Sequence, residues 1–436
     1  MTDKKAVVIG GGLAGVEAAN QLSKRGVKVT LYEMKPCKFS RAHKNENLGE
    51  LVCSNSLKAA RLGSAAGMLK AEMRLFGSVC LDAADVAQVP AGGALAVDRD
   101  VFSKLITQTI ENDENITLIR EEITEIPDAD VVIIAAGPLM SEALAEKVAE
   151  LCGKSFLSFY DAAAPIVTAD SIDMENAFTQ SRYDRGGEDD YINCPLNKEE
   201  YESFYEELIN AESAELHSFD KRKDVYEGCM PIEVLASRGK DAMRYGPLKP
   251  VGLTNPKTGH RPWANLQLRK ENKDGTMYNL VGFQTNLKFP EQKRVFSMFP
   301  ALKNAEFVRY GVMHRNTFLN SPGLLSYDFS MLKKPNIYFA GQISGVEGYM
   351  ESAASGILAG YNAARRLFGE EPIKLPKITM LGALSQYISD ESVKSFQPMG
   401  AAIGLVEPLG ETIKDKKARY EKIAQRSLDY YKSIDF

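Results

Sequence analysis

Apolar and polar positions along the chain follow two periods. Ala6-Val7-Val8-Ile9 is an unbroken apolar run, and Val29-Thr30-Leu31-Tyr32 is a second, closed by Glu33. Between them the pattern is helical, so the stretch from Lys4 to about Pro36 reads strand, helix, strand. Ala129-Asp130 leads into Val131 to Ala136, again continuously apolar and ending at Gly137-Pro138, as strands buried on both faces of a parallel sheet do. Gly67–Phe76 and Val101–Glu111 read as helices, Ile116–Ile119 and Glu121–Ile126 as strands, and 37–66 as irregular. From 151 to about 330 the elements are short and turn-rich. There Trp263–Leu268 and Tyr278–Phe283 flank Lys273-Asp274-Gly275, a hairpin signal. Asn336–Gly341 returns to a buried strand, followed by glycines and a small-residue helix from Ser352 to about Leu367. Pro372 to Pro376 marks a boundary, and Thr412–Tyr431 reads as an amphipathic helix. The expected fold is therefore α/β. A Rossmann-like domain made of 1–150 and 330–436 is interrupted by an α+β insertion over 151–329.

The 436 residues suffice for two or three domains. No run is long and apolar enough for a membrane span, and the first strand leaves no room for a signal peptide. Six scattered cysteines, none in a CxxC pair or at zinc spacing from a histidine, imply neither a disulfide framework nor a metal site. A reduced, cytoplasmic setting fits. The net charge of −5 is unevenly spread: Lys221 to Arg315 holds 18 basic and 8 acidic residues. Such a patch suits a polyanion or an acidic face of the same protein.

The first glycine cluster carries chemistry. Gly10 allows a tight turn, Gly12 lets backbone approach a pyrophosphate, and Gly15 lets helix and strand pack closely. Gly11, Leu13 and Ala14 complete the turn, whose helix N-terminus offers N–H groups to phosphate. Glu33 stands where a carboxylate can take a ribose hydroxyl. The late unit Ile337-Tyr338-Phe339-Ala340-Gly341-Gln342 resembles the flavin-contacting element of glutathione-reductase-type proteins, with Gln342 where Asp is common, and Ala135-Ala136-Gly137 resembles their strand end. These three elements favour FAD over NAD or S-adenosylmethionine. No second GxGxxG marks a resident nicotinamide site.

Cys37, Cys80, Cys152 and Cys194 are expected to be small buried hydrophobes. Cys53, in Glu50-Leu51-Val52-Cys53-Ser54-Asn55-Ser56, is placed at a helix start. Cys229, between Gly228 and Met230-Pro231, is placed in a fixed turn of the basic segment. Either setting can favour a thiolate. His314-Arg315 is expected after a strand, as pterin or phosphate contacts or a structural pair, and His43 in a loop near the flavin. Arg238, Lys240, Arg244 and Arg261 are candidate phosphate contacts, and Trp263 a core anchor.

Taken together these strings resemble the folate- and FAD-dependent tRNA (uracil-5-)-methyltransferase family, TrmFO. The resemblance rests on GGGLAG, Tyr32-Glu33-Met34-Lys35-Pro36, Ala42-His43, the Cys53 and Cys229 strings, Arg309 to Thr317, and Gly341 to Tyr349. Lys35 stands where Arg is usual. The resemblance implies methylation of C5 of the T-loop uridine, position 54, with methylenetetrahydrofolate as carbon donor and NADH or NADPH as reductant. It makes Cys229 the nucleophile that adds at uracil C6. Cys53 or Glu233 would take the C5 proton, and reduced FAD can carry the methylene and later give the hydride. The target base must turn out of its loop. The competing readings are a GidA-type enzyme of the wobble uridine, which has an extended helical C-terminal region, an FAD oxidoreductase of a small metabolite, and a non-catalytic flavin scaffold.

Overall fold

The computed structural model describes residues 4–40, 42–153, 156–162, 164–184, 187, 189–214, 230–311, 313–393 and 396–434, with backbone alone for 156–162, 184, 314 and 315. In chain order the strands are β1 (Lys5–Ile9), β2 (Lys28–Glu33), β3 (Ser56–Ala59), β4 (Gln88–Val89), β5 (Ala94–Val97), β6 (Ile116–Arg120), β7 (Val131–Ile134) and β8 (Phe156–Ala162). They continue as β9 (Ile166–Thr168), β10 (Phe178–Thr179), β11 (Tyr191–Leu196), β12 (Ala264–Lys270), β13 (Met277–Leu280), β14 (Phe307–Arg309), β15 (Met313–Leu319) and β16 (Ile337–Phe339). The α-helices are α1 (Leu13–Lys24), α2 (Ala65–Leu75), α3 (Val79–Ala87), α4 (Arg99–Glu111), α5 (Glu142–Cys152) and α6 (Lys198–Ile209). They continue as α7 (Ile232–Ala236), α8 (Phe289–Phe296), α9 (Tyr349–Leu367), α10 (Met380–Ser389) and α11 (Lys416–Lys432).

The apolar runs become a five-stranded parallel sheet in the order β16-β7-β1-β2-β6. Ile9 pairs with Tyr32 and Ile134, and Ile134 with Phe339, so the C-terminal ends of β1, β2, β7 and β16 finish side by side. In open α/β sheets that edge holds the ligand. The late strand β16 thus completes the first sheet. Residues between β9 and β14 build a second, antiparallel sheet, β10-β11-β12-β13-β9-β14, covered by α6, α7 and α8. Its interior, from Val167 to Ala305, is a separate apolar cluster that includes Phe204, Phe283, Phe296 and Phe299. The ribbon of β8 and β15 runs between the two parts.

Helices α1 and α9 cross at close range because their facing positions are small. A Cβ on Gly356 would lie 2.1 Å from the Ala14 carbonyl oxygen, and one on Gly360 2.5 Å from that of Ala18. Two buried carboxylates fasten other helices. Glu17 on α1 accepts the N–H of Cys80 (3.0 Å) and the Ser78 hydroxyl at the start of α3. Glu72 on α2 accepts the N–H groups of Met380 (2.7 Å) and Leu381 (2.8 Å) at the start of α10, and the hydroxyls of Ser427 and Tyr431 on α11. Burial pushes both carboxyls up to about 7.

Several expectations are corrected. Glu121–Ile126 forms no strand. The stretch 37–66 is not wholly irregular, since β3 pairs antiparallel with β5. α3, β5 and α5 were not anticipated. α3 and α5 are capped by Ser78 and Ser141, signals available in the sequence. Among the described residues no helix is long and apolar enough to cross a membrane.

Candidate functional site

A cavity of about 430 Å³ opens at the C-terminal edge of the parallel sheet. The β1–α1 turn forms one wall, through Gly10, Gly12, Leu13 and Ala14. Gly10 has φ +102°, a left-handed value that favours glycine. A Cβ on Gly15 would fall 1.8 Å from the Gly10 carbonyl oxygen, so this glycine serves strand–helix packing and stays outside the cavity lining. At Gly12 an added Cβ would meet nothing within 4 Å, and no side chain caps α1. The open glycine and uncapped helix end form a cradle that fits a pyrophosphate.

Glu33 is buried at the end of β2 and lines the same space. Its oxygens accept the N–H groups of Gly11 (2.8 Å) and Lys35 (2.9 Å), which orients the carboxylate and leaves lone pairs for a ligand hydroxyl. The Lys35 ammonium is itself buried, 3.2 Å from Glu50 and 2.7 Å from the Asn47 carbonyl oxygen. Gly137 (φ +69°), Gly341 (φ +85°) and Gln342 line the opposite wall. Gln342 donates to Glu347 (2.6 Å). A second helix, α9, begins at the cavity with Gly348 as its N-cap and without a side-chain cap. Two helix N-termini therefore face one elongated space, an arrangement suited to FAD, with phosphates at one end and an electron-accepting ring at the other. Glu121, Glu122 and Ile123 line it from the loop after β6.

Cys53 lines this cavity and is half-buried. It does not start a helix. It lies in a coil ahead of β3, held by groups remote in sequence. The Tyr349 hydroxyl accepts the N–H groups of Cys53 (2.7 Å) and Ser54 (3.2 Å). Burial first, then the neighbouring Cys53, pushes that phenol well above its ordinary value. Three guanidiniums bind the loop: Arg99 on the carbonyl oxygens of Leu51 (3.0 Å) and Cys53 (3.4 Å), Arg309 on that of Val52 (2.5 Å), and Arg269 on Ser54 Oγ (2.9 Å) and Asn55 Oδ1 (3.0 Å). Of these cations only Arg309 falls in a string that the sequence singled out, and there without a role; Arg99 and Arg269 carry no such signal. Arg269 occupies the polar half of an alternating strand, Asn265-Leu266-Gln267-Leu268-Arg269, a face normally given to solvent. Here that face is buried, and Asn265 (2.9 Å) and Gln267 (3.1 Å) both donate to Asn193 Oδ1.

His43 lines the cavity with Nδ1 2.6 Å from Ser40 Oγ. Cys229 lies outside the described residues. His314 and Arg315 follow the strand β14, as expected, and themselves lie within the next strand, β15. Glu233 is not a cavity residue. Its oxygens accept the N–H of Asn286 (2.8 Å) and the hydroxyl of Thr285 (2.9 Å), fixing the loop next to Gln284, which does line the cavity. Arg238 and Arg261 are exposed. Trp263 is no core anchor. It is 38% exposed with the Arg244 guanidinium 3.9 Å from its ring centre. Cys37 is exposed and its Sγ is 3.1 Å from the Arg120 carbonyl oxygen. Cys80, Cys152 and Cys194 are buried as expected, and burial pushes the Cys152 thiol up to about 12 and holds those of Cys80 and Cys194 well above the ordinary value. Ion pairs of Lys240 with Glu202, Lys288 with Glu212, and Arg294 with Glu207 and Glu291 neutralise part of the basic segment.

Comparison with known proteins agrees with this geometry. The family profile described as "Glucose inhibited division protein A" (GidA) matches residues 5–371. A protein of Acetivibrio thermocellus named methylenetetrahydrofolate–tRNA-(uracil-5-)-methyltransferase TrmFO is 58% identical over 425 residues, covering 98% of this chain and 97% of its own. Proteins of the same name from Enterococcus faecalis and Lactobacillus acidophilus are 56% and 54% identical, with coverage of 97% or more on both sides. Among solved structures, Aquifex aeolicus GidA superposes with a TM-score of 0.71 at 17% identity, over 99% of this chain and 74% of that one, a likeness of fold. With the dinucleotide cradle, the completed parallel sheet and these full-length relatives in hand, the chain belongs to the GidA family and, within it, to the TrmFO proteins.

Proposed function

We propose that the chain methylates C5 of a uracil in tRNA, the T-loop uridine at position 54, with methylenetetrahydrofolate as carbon donor. The observation that carries this reading is Cys53, held by Tyr349 and three guanidiniums at the rim of a cavity built for FAD. The names of the 54–58% identical relatives supply the substrate class. FAD, bound by Gly10, Gly12, Glu33, Gly137 and Gly341 and reduced by NADH or NADPH, would supply the methylene carrier and the hydride. The Cys229 thiolate would add to uracil C6, making C5 an enolate carbon that bonds to the electrophilic methylene carbon as the carbon–nitrogen π pair returns to the carrier nitrogen. Cys53 would take the C5 proton as that nitrogen leaves the methylene carbon, and hydride would then add to the exocyclic methylene as the C6–sulfur bond breaks, which completes the methyl group and restores the C5–C6 double bond. Ile232 donates its N–H to the carbonyl oxygen of the cavity residue Gln284 (2.7 Å), which ties the start of α7 to the cleft. Glu233 is better suited to positioning that loop than to proton transfer. His43, His314 and Arg315 remain candidates for folate or phosphate contact. The substrate makes this a cytoplasmic enzyme.

The test is direct. Purified protein should be yellow and should form 5-methyluridine in a tRNA transcript only with methylenetetrahydrofolate and NADH or NADPH present. Label entering from S-adenosylmethionine would overturn the proposal.

A further inference from the structure

A second concavity lies on the antiparallel sheet, away from the parallel one. It encloses about 790 Å³ between the start of α6 and the 249–263 loop. Lys198, Lys249, Lys257 and Arg261 border it, and all four side chains are exposed. Two carboxylates also border it, Glu175 and Glu200, and the Glu200 side chain is engaged at the N-cap of α6. Cations thus outnumber anions even before Arg244 is added. Two aromatic rings stand among them. Trp263 is held between Arg244 and the Lys198 ammonium, 5.7 Å from its ring centre, and Arg244 also donates to the Trp263 carbonyl oxygen (3.0 Å). Tyr245 is 86% exposed, the most exposed large apolar side chain among the described residues. A tyrosine so presented covers none of the core.

The position of this basin relative to the cleft is set by one strand. Trp263 immediately precedes β12, whose far end carries Arg269, and Arg269 grips Ser54 and Asn55 beside Cys53. Six residue steps at roughly 3.3 Å each put the basin about 20 Å from the Cys53 loop along a rigid element. Cations interleaved with exposed aromatic rings are the recognition surface of a nucleic-acid backbone with unstacked bases.

We propose that this basin is a second contact for the RNA substrate. Lys249, Lys257 and Arg261 neutralise phosphates of the strand that leads away from the target uridine, and Tyr245 stacks on an accessible base. The inference rests on the tRNA reading given above and deepens it by naming where the polynucleotide is gripped outside the cleft. It accounts for selection of a whole folded RNA over a free nucleoside, because binding energy collected at a distance holds the target in place.

The experiment measures the affinity of the flavin-loaded protein for an unmodified tRNA transcript across a salt series. The variants are the triple substitution Lys249→Gln, Lys257→Gln, Arg261→Gln and the single Tyr245→Ala. All four side chains are exposed, so unchanged melting temperature and flavin content check the fold. The triple variant should bind about tenfold or more weakly at moderate salt. Its log–log salt slope should fall by about 0.7–0.9 for each phosphate that is no longer neutralised. Tyr245→Ala should weaken binding with the slope unchanged. Affinity and slope equal to the parent in both variants would overturn the inference. Absence of 5-methyluridine with the parent protein would instead overturn the proposed reaction, while the binding series would still decide whether this basin grips RNA.

Discussion

At the scale of single residues, two glycines three positions apart have opposite jobs. A methyl group on Gly15 would collide with the Gly10 carbonyl oxygen, whereas one on Gly12 would meet no protein atom within 4 Å. Gly15→Ala should therefore cost stability, on the order of 2 kcal/mol or more, by overpacking against rigid backbone. Gly12→Ala should fold with the melting temperature of the flavin-free parent and purify without yellow colour, because the methyl occupies the space of a pyrophosphate. Full flavin content in Gly12→Ala would show that the cradle is misassigned. The turn and the packing role of Gly15 were legible in the sequence because a strand, a turn and a helix start are local. The setting of Cys53 was not, since Arg99, Arg269, Arg309 and Tyr349 reach it from distant parts of the chain. If Cys53 takes the C5 proton, Cys53→Ala should slow turnover by about 10²–10⁴-fold. It should still trap a 5-fluorouridine tRNA covalently, whereas Cys229→Ala should lose both turnover and adduct. An adduct retained in Cys229→Ala would reassign the nucleophile.

Elements are joined here by buried carboxylates as much as by apolar faces. The small-residue stripe of α9 was readable in the sequence, and it meets α1 as such a stripe must. The tail helix was expected over Thr412–Tyr431 and forms over Lys416–Lys432, turning Ile423, Ala424, Ser427 and Tyr431 inward. What no periodicity revealed is that Glu72 on α2 would gather the first N–H groups of α10 and two hydroxyls of α11. Burial raises this carboxyl from 4.5 to about 7, so the fold prefers the protonated form. The stability it contributes is therefore complete below pH 4.5 and is lost as pH rises through 7. Replacing Glu72 by Gln removes that titration. Unfolding of parent and Glu72→Gln in denaturant at pH 5 and pH 8 should show the parent's advantage shrinking with pH, by up to about 3 kcal/mol. A difference that stays constant, or grows, would mean that the four donors hold the carboxylate charged throughout.

On the scale of the whole molecule, two apolar cores meet across a polar seam, and the Cys53 loop lies in that seam. Arg99, from the parallel-sheet part, forms an ion pair with Glu271, which follows β12 of the antiparallel part. Glu271 is 5% exposed, and burial raises its carboxyl while Arg99, Arg269 and Arg309 pull it down. Asn55 adds bonds to the carbonyl oxygens of Val97 (3.1 Å) and Lys270 (2.9 Å), one on each side. The two-part architecture was visible in the sequence as a change from long apolar runs to short aromatic-rich elements. The seam was not, because alternation within β12 signals a solvent-facing side and says nothing of the Ser54–Asn55 loop that Arg269 meets there. Removing one partner of a buried pair strands the other charge, at a cost of about 3–5 kcal/mol. Arg99→Met and Glu271→Leu should each destabilise the protein on that scale. Combined, they should cost less than the sum of the two, with a coupling of about 1–3 kcal/mol. The double variant should regain stability without regaining methylation, since the Leu51 and Cys53 carbonyl oxygens still lack the Arg99 guanidinium and the thiol is no longer held at the cavity rim. Strict additivity in the cycle would show that the two parts stand independently. Full activity in the double variant would show that the loop keeps its place through Arg269, Arg309 and Tyr349 alone.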